Sequence, residues 1–286
     1  MAVYKRGYQR YDGVMTGRFA RLLVLPGYAW RNLLKKRLMV SLLILAMFWP
    51  LFCIAFIYIS SHADLLLNFG PQFKKFLQID SNFFLIFMRV QAVFSILIAI
   101  FAGPGLIAPD LSNNALQLYF SRPFSRAEYV LSRLTVLLGL LSLVTWIPGI
   151  LLFSIQSALA GGNWFMQNLN LGTGVFTGLL IWIVLVSLVA MAASAYVRRR
   201  VTAEAFILGI IFILPVGTRI FNTLFNVEWA TLFNPVLVVD KIWCWLLEAE
   251  PEPGPGVLQC CLAVIVMYSL LLTVLRRKLR PVEVVS

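Results

Sequence analysis

The chain has 286 residues, 60% of them hydrophobic and 13% charged, and a formal net charge of +12. A mean hydropathy of +0.87 excludes a soluble domain of this length and indicates a membrane protein. The excess of Lys and Arg over Asp and Glu (24 against 12) also fits nucleic-acid binding, but the placement of those charges along the chain argues against it.

Residues 1–37 are polar or amphipathic, and no cleavable signal peptide is expected in them. The stretch GRFARLLVLPGYAWRNLLKKR at 17–37 interleaves Phe19, Leu22, Leu23, Tyr28, Trp30, Leu33 and Leu34 with basic residues, and Pro26-Gly27 is expected to break it. It is too short and too charged to span. Two readings fit it: a basic amphipathic helix lying in the cytoplasmic interface, or a charged flank that only orients the first span.

A hydrocarbon core of about 30 Å takes roughly 20 apolar residues as helix, and backbone groups left unpaired in lipid force such runs to be helical. Six runs qualify, at 38–59, 83–108, 130–153, 171–196, 203–224 and 257–275. The expected fold class is therefore an all-α integral membrane protein. It has an amino-terminal segment, 1–37, and a six-span transmembrane domain, 38–286.

The first loop contains His62, the single histidine of the chain, which reads as a solvated side chain. Gly103-Pro104-Gly105 should kink or end the second span. The loop that follows, PDLSNNALQLYFSRPFSRAEYVLSR, is the most informative in the chain. Asp110 is placed to cap a short helix running to about Phe120, and Arg122-Pro123 stops it. Ser125 and Glu128 then form a capping box that starts the third span. The loop at 109–129 thus reads as a short helix along the membrane followed by a sharp re-entry, which makes a rigid knob.

The third loop is an uncharged turn rich in Gly and Asn, the fourth is a tight basic turn, and the fifth span is interrupted by Pro215 and Gly217. Between the last two spans, 225–256 is unusually apolar for a loop. Asn234-Pro235 signals a helix start, about a dozen apolar residues with Trp243 and Trp245 follow, and an acidic Pro/Gly stretch ends the run. This indicates a re-entrant or interfacial segment on the outer face. Of the four cysteines, Cys53, Cys260 and Cys261 fall in spans. A Cys244–Cys260 bridge is the alternative to reading all four as isolated apolar residues.

Eighteen Lys and Arg fall in the amino-terminal segment, the second and fourth loops and the tail, whereas only Lys74, Lys75 and Lys241 lie in the odd-numbered loops. The positive-inside rule then puts both termini in the cytoplasm. The net charge is an asymmetry across a membrane, and the basic residues meet anionic lipid head groups rather than nucleic acid. Two charges, Arg89 and Arg219, fall inside spans on the outer half. Intramembrane charge is costly, so each should face protein, water or an acid such as Glu228 or Asp240. They form either an anionic head-group site on a substrate pathway or a pair of snorkelling, ion-paired structural residues.

Several chemistries lack their parts. No GxxxxGK[ST] loop is present for ATP, there is no HExxH or Cys/His metal spacing, and one histidine cannot supply paired haem ligands. No catalytic residue or metal ligand is assigned, and no cofactor is expected in this chain. Apart from Glu204 at the edge of the fifth, the six predicted spans hold no Asp or Glu, which disfavours an ion-coupled carrier working alone.

The stretch 103–133, GPGLIAPD…NNALQLYFSRPFSRAEYVLSR, resembles the membrane (permease) subunits of bacterial type-2 ATP-binding-cassette (ABC) transporters. The matching positions are Asp110, Asn114, Leu116, Leu118, Ser121, Arg122, Pro123, Ser125, Arg126 and Tyr129. Family members more often carry Gly-Thr where this chain has Asn114-Ala115. The layout agrees as well: an interfacial helix before the first span, six spans, and re-entrant helices between the fifth and sixth.

The resemblance implies that the 109–129 loop is a coupling helix docking on a separate ATPase subunit, which holds the ATP and Mg. It also implies a homo- or heterodimer of permease halves in the bacterial cytoplasmic membrane, exporting or flipping a substrate. On that reading Asp110, Asn114, Leu116, Leu118, Tyr119, Phe120, Pro123 and Glu128 form the coupling element, with Arg122 and Arg126 as charge partners. The alternative function is a non-transporting membrane anchor for cytoplasmic proteins.

Overall fold

The computed structural model describes residues 18–62, 79–113, 125–197, 200–251 and 253–278. Among these residues the fold is helical throughout. Six helical stretches are long and apolar enough to cross a membrane: Arg37–Ser61, Ser81–Leu111, Ala127–Ala160, Leu169–Tyr196, Val201–Phe225 and Val257–Lys278. Each expected span is found, most of them extended by a few residues. The protein is an all-α, multi-pass membrane protein.

The fourth span is the centre of the bundle. It packs against the second, third and sixth spans and against the helix Pro235–Leu246, and 72% of its most apolar window is buried. Small residues allow the close approach. A Cβ on Gly103 would lie 2.7 Å from the Ala190 Cβ, and one on Gly178 would lie 2.7 Å from the Trp243 ring. The first, fifth and sixth spans are peripheral, with only 28%, 22% and 11% of the corresponding windows buried. Such apolar faces are compatible with lipid, where exposure carries no hydrophobic penalty.

Prolines in the spans leave carbonyls without their helical donor, and polar side chains from other helices take them up. Pro50 and Pro148 have no N–H to offer Ala46 and Val144. The buried Gln91 amide donates to both, at 3.2 Å to Ala46 O and 2.5 Å to Val144 O, and so joins the first three spans. At the Gly103-Pro104 break the buried Ser194 hydroxyl accepts from Ile107 N and Ala108 N, and it donates to Pro104 O at 3.1 Å. The second span is interrupted at Gly103, which keeps helical dihedrals, and the chain runs on as Pro104–Ser112. In the fifth span Pro215 is preceded by a π-helical segment, Gly209–Ile213.

Two expectations are corrected. Pro26 does not break the amino-terminal helix, which runs unbroken over Arg18–Leu34. The missing hydrogen bond is outweighed by packing: Ala29 and Leu33 are buried, and Trp30 Nε1 donates to Val136 O at 3.1 Å. Asp110 is not a helix N-cap, because it lies within Pro104–Ser112 and its carboxylate is engaged elsewhere. A carboxylate therefore does stand on the helix that continues the second span.

The turn between the third and fourth spans rests on Gly161 and Gly162, whose φ values of 65° and 56° suit residues without a Cβ. After the fifth span, Asn234 caps the helix Pro235–Leu246, its Oδ1 accepting from Val236 N and Leu237 N. At 12 residues this helix is about 18 Å long, too short to cross a bilayer of about 30 Å. It runs antiparallel to the fourth span. Its start shares a cavity with Trp182, its end approaches Gly174, and Trp243 Nε1 donates to Gly178 O at 2.8 Å between them. All four cysteines are unbridged.

Candidate functional site

Helix alternation gives the bundle a basic end and an acidic end. Arg31, Lys35, Lys36 and Arg37 gather at the basic end with the close of the second span, the start of the third and Arg276, Arg277 and Lys278. Asp80, Glu228, Glu248 and Glu250 lie at the other. Lys278 Nζ stands 5.1 Å over the Tyr196 ring, so the last residues of the fourth and sixth spans meet at the basic end.

The second and third spans are longer than a membrane requires. At 31 and 34 residues they measure about 46 and 51 Å, against a hydrocarbon core of about 30 Å. Asp80, which caps the second span through Phe83 N, and the Gly161-Gly162 turn hold their acidic ends at a polar boundary. From Ser81 the second span is already about 33 Å long at Gly103, and the residues beyond it pack against the end of the fourth span through Ser194.

Three side chains tie the basic ends of the second and third spans together. Tyr129 donates its hydroxyl to Asp110 Oδ2 at 2.6 Å, and Arg133 forms an ion pair with the same oxygen through Nη2. Arg133 lies one turn beyond Tyr129, with its guanidinium 5.5 Å from the Tyr129 ring centroid. Tyr129 is fully buried, and Arg133 is only 8% exposed. A second tie is local. Ser125 Oγ accepts from Glu128 N at 3.2 Å and Glu128 Oε2 accepts from Ser125 N at 2.7 Å, the expected capping box.

These contacts fix both flanks of the loop. The positions Asn114, Leu116, Leu118, Tyr119, Phe120, Ser121, Arg122 and Pro123 lie outside the described residues. Of the remaining expected coupling residues, Asp110 belongs to the tie, Glu128 to the capping box, and Arg126 opens the third-span helix. Arg133 was not anticipated. Its signal was present, an Arg inside an apolar run and four residues beyond a motif tyrosine.

The intramembrane arginines separate. Arg89 makes a bidentate pair with Asp240 of the short helix, Nε to Oδ1 and Nη2 to Oδ2, both at 2.7 Å. The Arg89 side chain is 44% exposed and that of Asp240 16%. The pair borders a cavity of about 250 Å³ lined by Ile96, Trp182, Val236 and Trp243 among others. Arg219 takes neither of the acids expected for it. It is exposed on Leu214–Phe225 and makes no ion pair among the described residues. It stands six residues before the end of its span, about 9 Å in, within reach of the head-group level for a side chain of its length.

Among the described residues no group of three or more His, Cys, Asp or Glu side chains is placed to hold a metal ion. The chain matches no protein-family model, and no curated protein is significantly similar to it in sequence.

Proposed function

We propose that the chain is the permease half of an ATP-driven transporter of the ABC type, powered by a separate ATPase that docks on the 109–129 loop. The observation that carries this reading is the tie from Asp110 to Tyr129 and Arg133. Asp110 and Tyr129 bracket the loop motif, and their bond clamps together the two helices between which the loop is strung. A partner pushing on that loop moves both spans as one lever, because buried charge-assisted bonds resist separation. Through Ser194 and Gly103 the lever bears directly on the central fourth span.

On this reading the basic end faces the cytoplasm of a bacterial cell, with both termini there, as the Lys and Arg distribution requires. Arg18–Leu34 is an interfacial helix, the 109–129 loop is the coupling element, and Pro235–Leu246 is a re-entrant helix in the outer half. The complete transporter is a dimer of permease halves with two ATPase subunits, and it exports or flips its substrate. An anionic group on that substrate would compete with Asp240 for Arg89.

The test is co-expression with the cognate ATPase and isolation in mild detergent. The complex should form with the wild-type chain, and Tyr119→Ala/Phe120→Ala should abolish it without lowering the yield of the membrane protein. Asp110→Asn should leave association intact while removing substrate-stimulated ATP turnover. Association unaffected by the loop variant would overturn the docking assignment. A bound ATPase whose turnover the chain never alters would identify a membrane anchor instead.

A further inference from the structure

A second cavity, of about 460 Å³, lies between the amino-terminal helix and the basic ends of the second and third spans. Lys36, Asn32 and Tyr28 supply its polar wall and Leu33 and Leu106 its apolar one, with Arg133 and Asp110 inside. Arg133 uses Nη2 on Asp110, but its Nε is buried and has no hydrogen-bond partner among the described residues. A buried donor on a charged group left without a partner is costly, and Arg133 lines a cavity with room for an acceptor. Gly105 also borders this space, and a Cβ built on it meets nothing within 4 Å.

We propose that this cavity binds the phosphate of an anionic phospholipid. Three features point to that ligand. The cavity begins two residues beyond the Gly103 break, the level at which the second span leaves the hydrocarbon, so it sits among lipid head groups. Its two cations against one carboxylate leave a single positive charge, which a phosphodiester monoanion neutralises. Its apolar wall accepts the glycerol and the first acyl carbons, as an inorganic ion would not require. A zwitterionic head group brings a second cation to a cavity whose one acid is already taken by Tyr129 and Arg133. This assignment holds whether or not the chain transports anything.

The experiment uses the full chain in mixed micelles containing equal amounts of phosphatidylglycerol and phosphatidylcholine, read by native mass spectrometry. One phosphatidylglycerol should be retained per chain, in preference to phosphatidylcholine by about tenfold, as expected for a charge-assisted contact. Gly105→Phe, which fills the cavity, and Lys36→Gln, which removes a cation from its rim, should each lower that retention about tenfold. Neither replaces a member of the Asp110 tie, and an unchanged unfolding temperature checks that the tie and the fold survive. Gly105→Leu replaces Gly105→Phe should the larger side chain prevent folding. Equal retention of the two lipids, or undiminished retention in either variant, overturns the proposal. Displacement by millimolar inorganic phosphate would assign the same phosphate chemistry to a soluble ester and overturn the lipid as its source.

Discussion

Tyr129 and Asp110, 19 positions apart in sequence, are joined by a 2.6 Å hydrogen bond across the mouth of the loop between the second and third spans. Each is a poor stabiliser alone at this depth. Asp110 needs Arg133 to offset its charge, and Tyr129 needs an acceptor for a hydroxyl that burial has stripped of water.

The three members of this tie should differ in their cost. Tyr129→Phe removes one hydrogen bond and keeps the ring, a loss of about 1 kcal/mol. Asp110→Ala leaves the Arg133 charge buried and unpaired, a loss of about 3–5 kcal/mol. The double variant Asp110→Ala/Arg133→Leu should recover much of that loss. Thermal unfolding in detergent should rank them in this order. Equal destabilisation by Tyr129→Phe and Asp110→Ala would show that the ion pair contributes nothing.

Gln91→Leu should destabilise the bundle by about 2 kcal/mol, since it strands two buried carbonyls at once. Gln91→Glu should do worse, because a carboxylate repels the same carbonyls. Reduced unfolding temperature with intact membrane insertion is the expected readout. A neutral Gln91→Leu would mean that both carbonyls find other donors.

Arg89 and Asp240 should behave as a pair. Either Arg89→Gln or Asp240→Asn leaves a charge near the middle of the bundle and should loosen Pro235–Leu246 from the second span, while the double variant restores neutrality. Protease sensitivity of the segment after Leu246 would report the loosening. Single and double variants of equal sensitivity would rule out coupling.

Gly178→Leu should displace the short helix, because a side chain there meets Trp243 at 2.7 Å and the Met88 methyl at 2.8 Å. Overpacking of this kind costs about 1–3 kcal/mol. Replacing Trp243 by Ala in the same chain should relieve part of the strain, and a failure to do so would separate the two positions.

The six spans were legible because membrane crossing imposes one requirement, some twenty apolar residues, that each run meets on its own. The Ser125–Glu128 box and the Asn234 cap were legible for a similar reason, since their partners lie within three residues. The Asp110–Arg133 pair was not, because it depends on how two helices cross. Reading Asp110 as a cap followed a local rule that a long-range ion pair overrode. Gln91 was equally silent, for its role exists only once Pro50 and Pro148 have been brought to it from two other helices. The same holds for Pro26, whose helix survives through tertiary packing that local propensity does not reveal.

The two hydrogen bonds that Gln91 donates also limit how this molecule can move. A side chain riveted to two neighbouring backbones at once tolerates little sliding or axial rotation of either, because a shift of one residue would carry a carbonyl roughly 100° around its helix, given about 3.6 residues per turn. Between Ala46, Gln91 and Val144 the first three helices must therefore travel as a single plate. Any motion of these helices relative to the rest of the bundle is then a tilt of that whole plate.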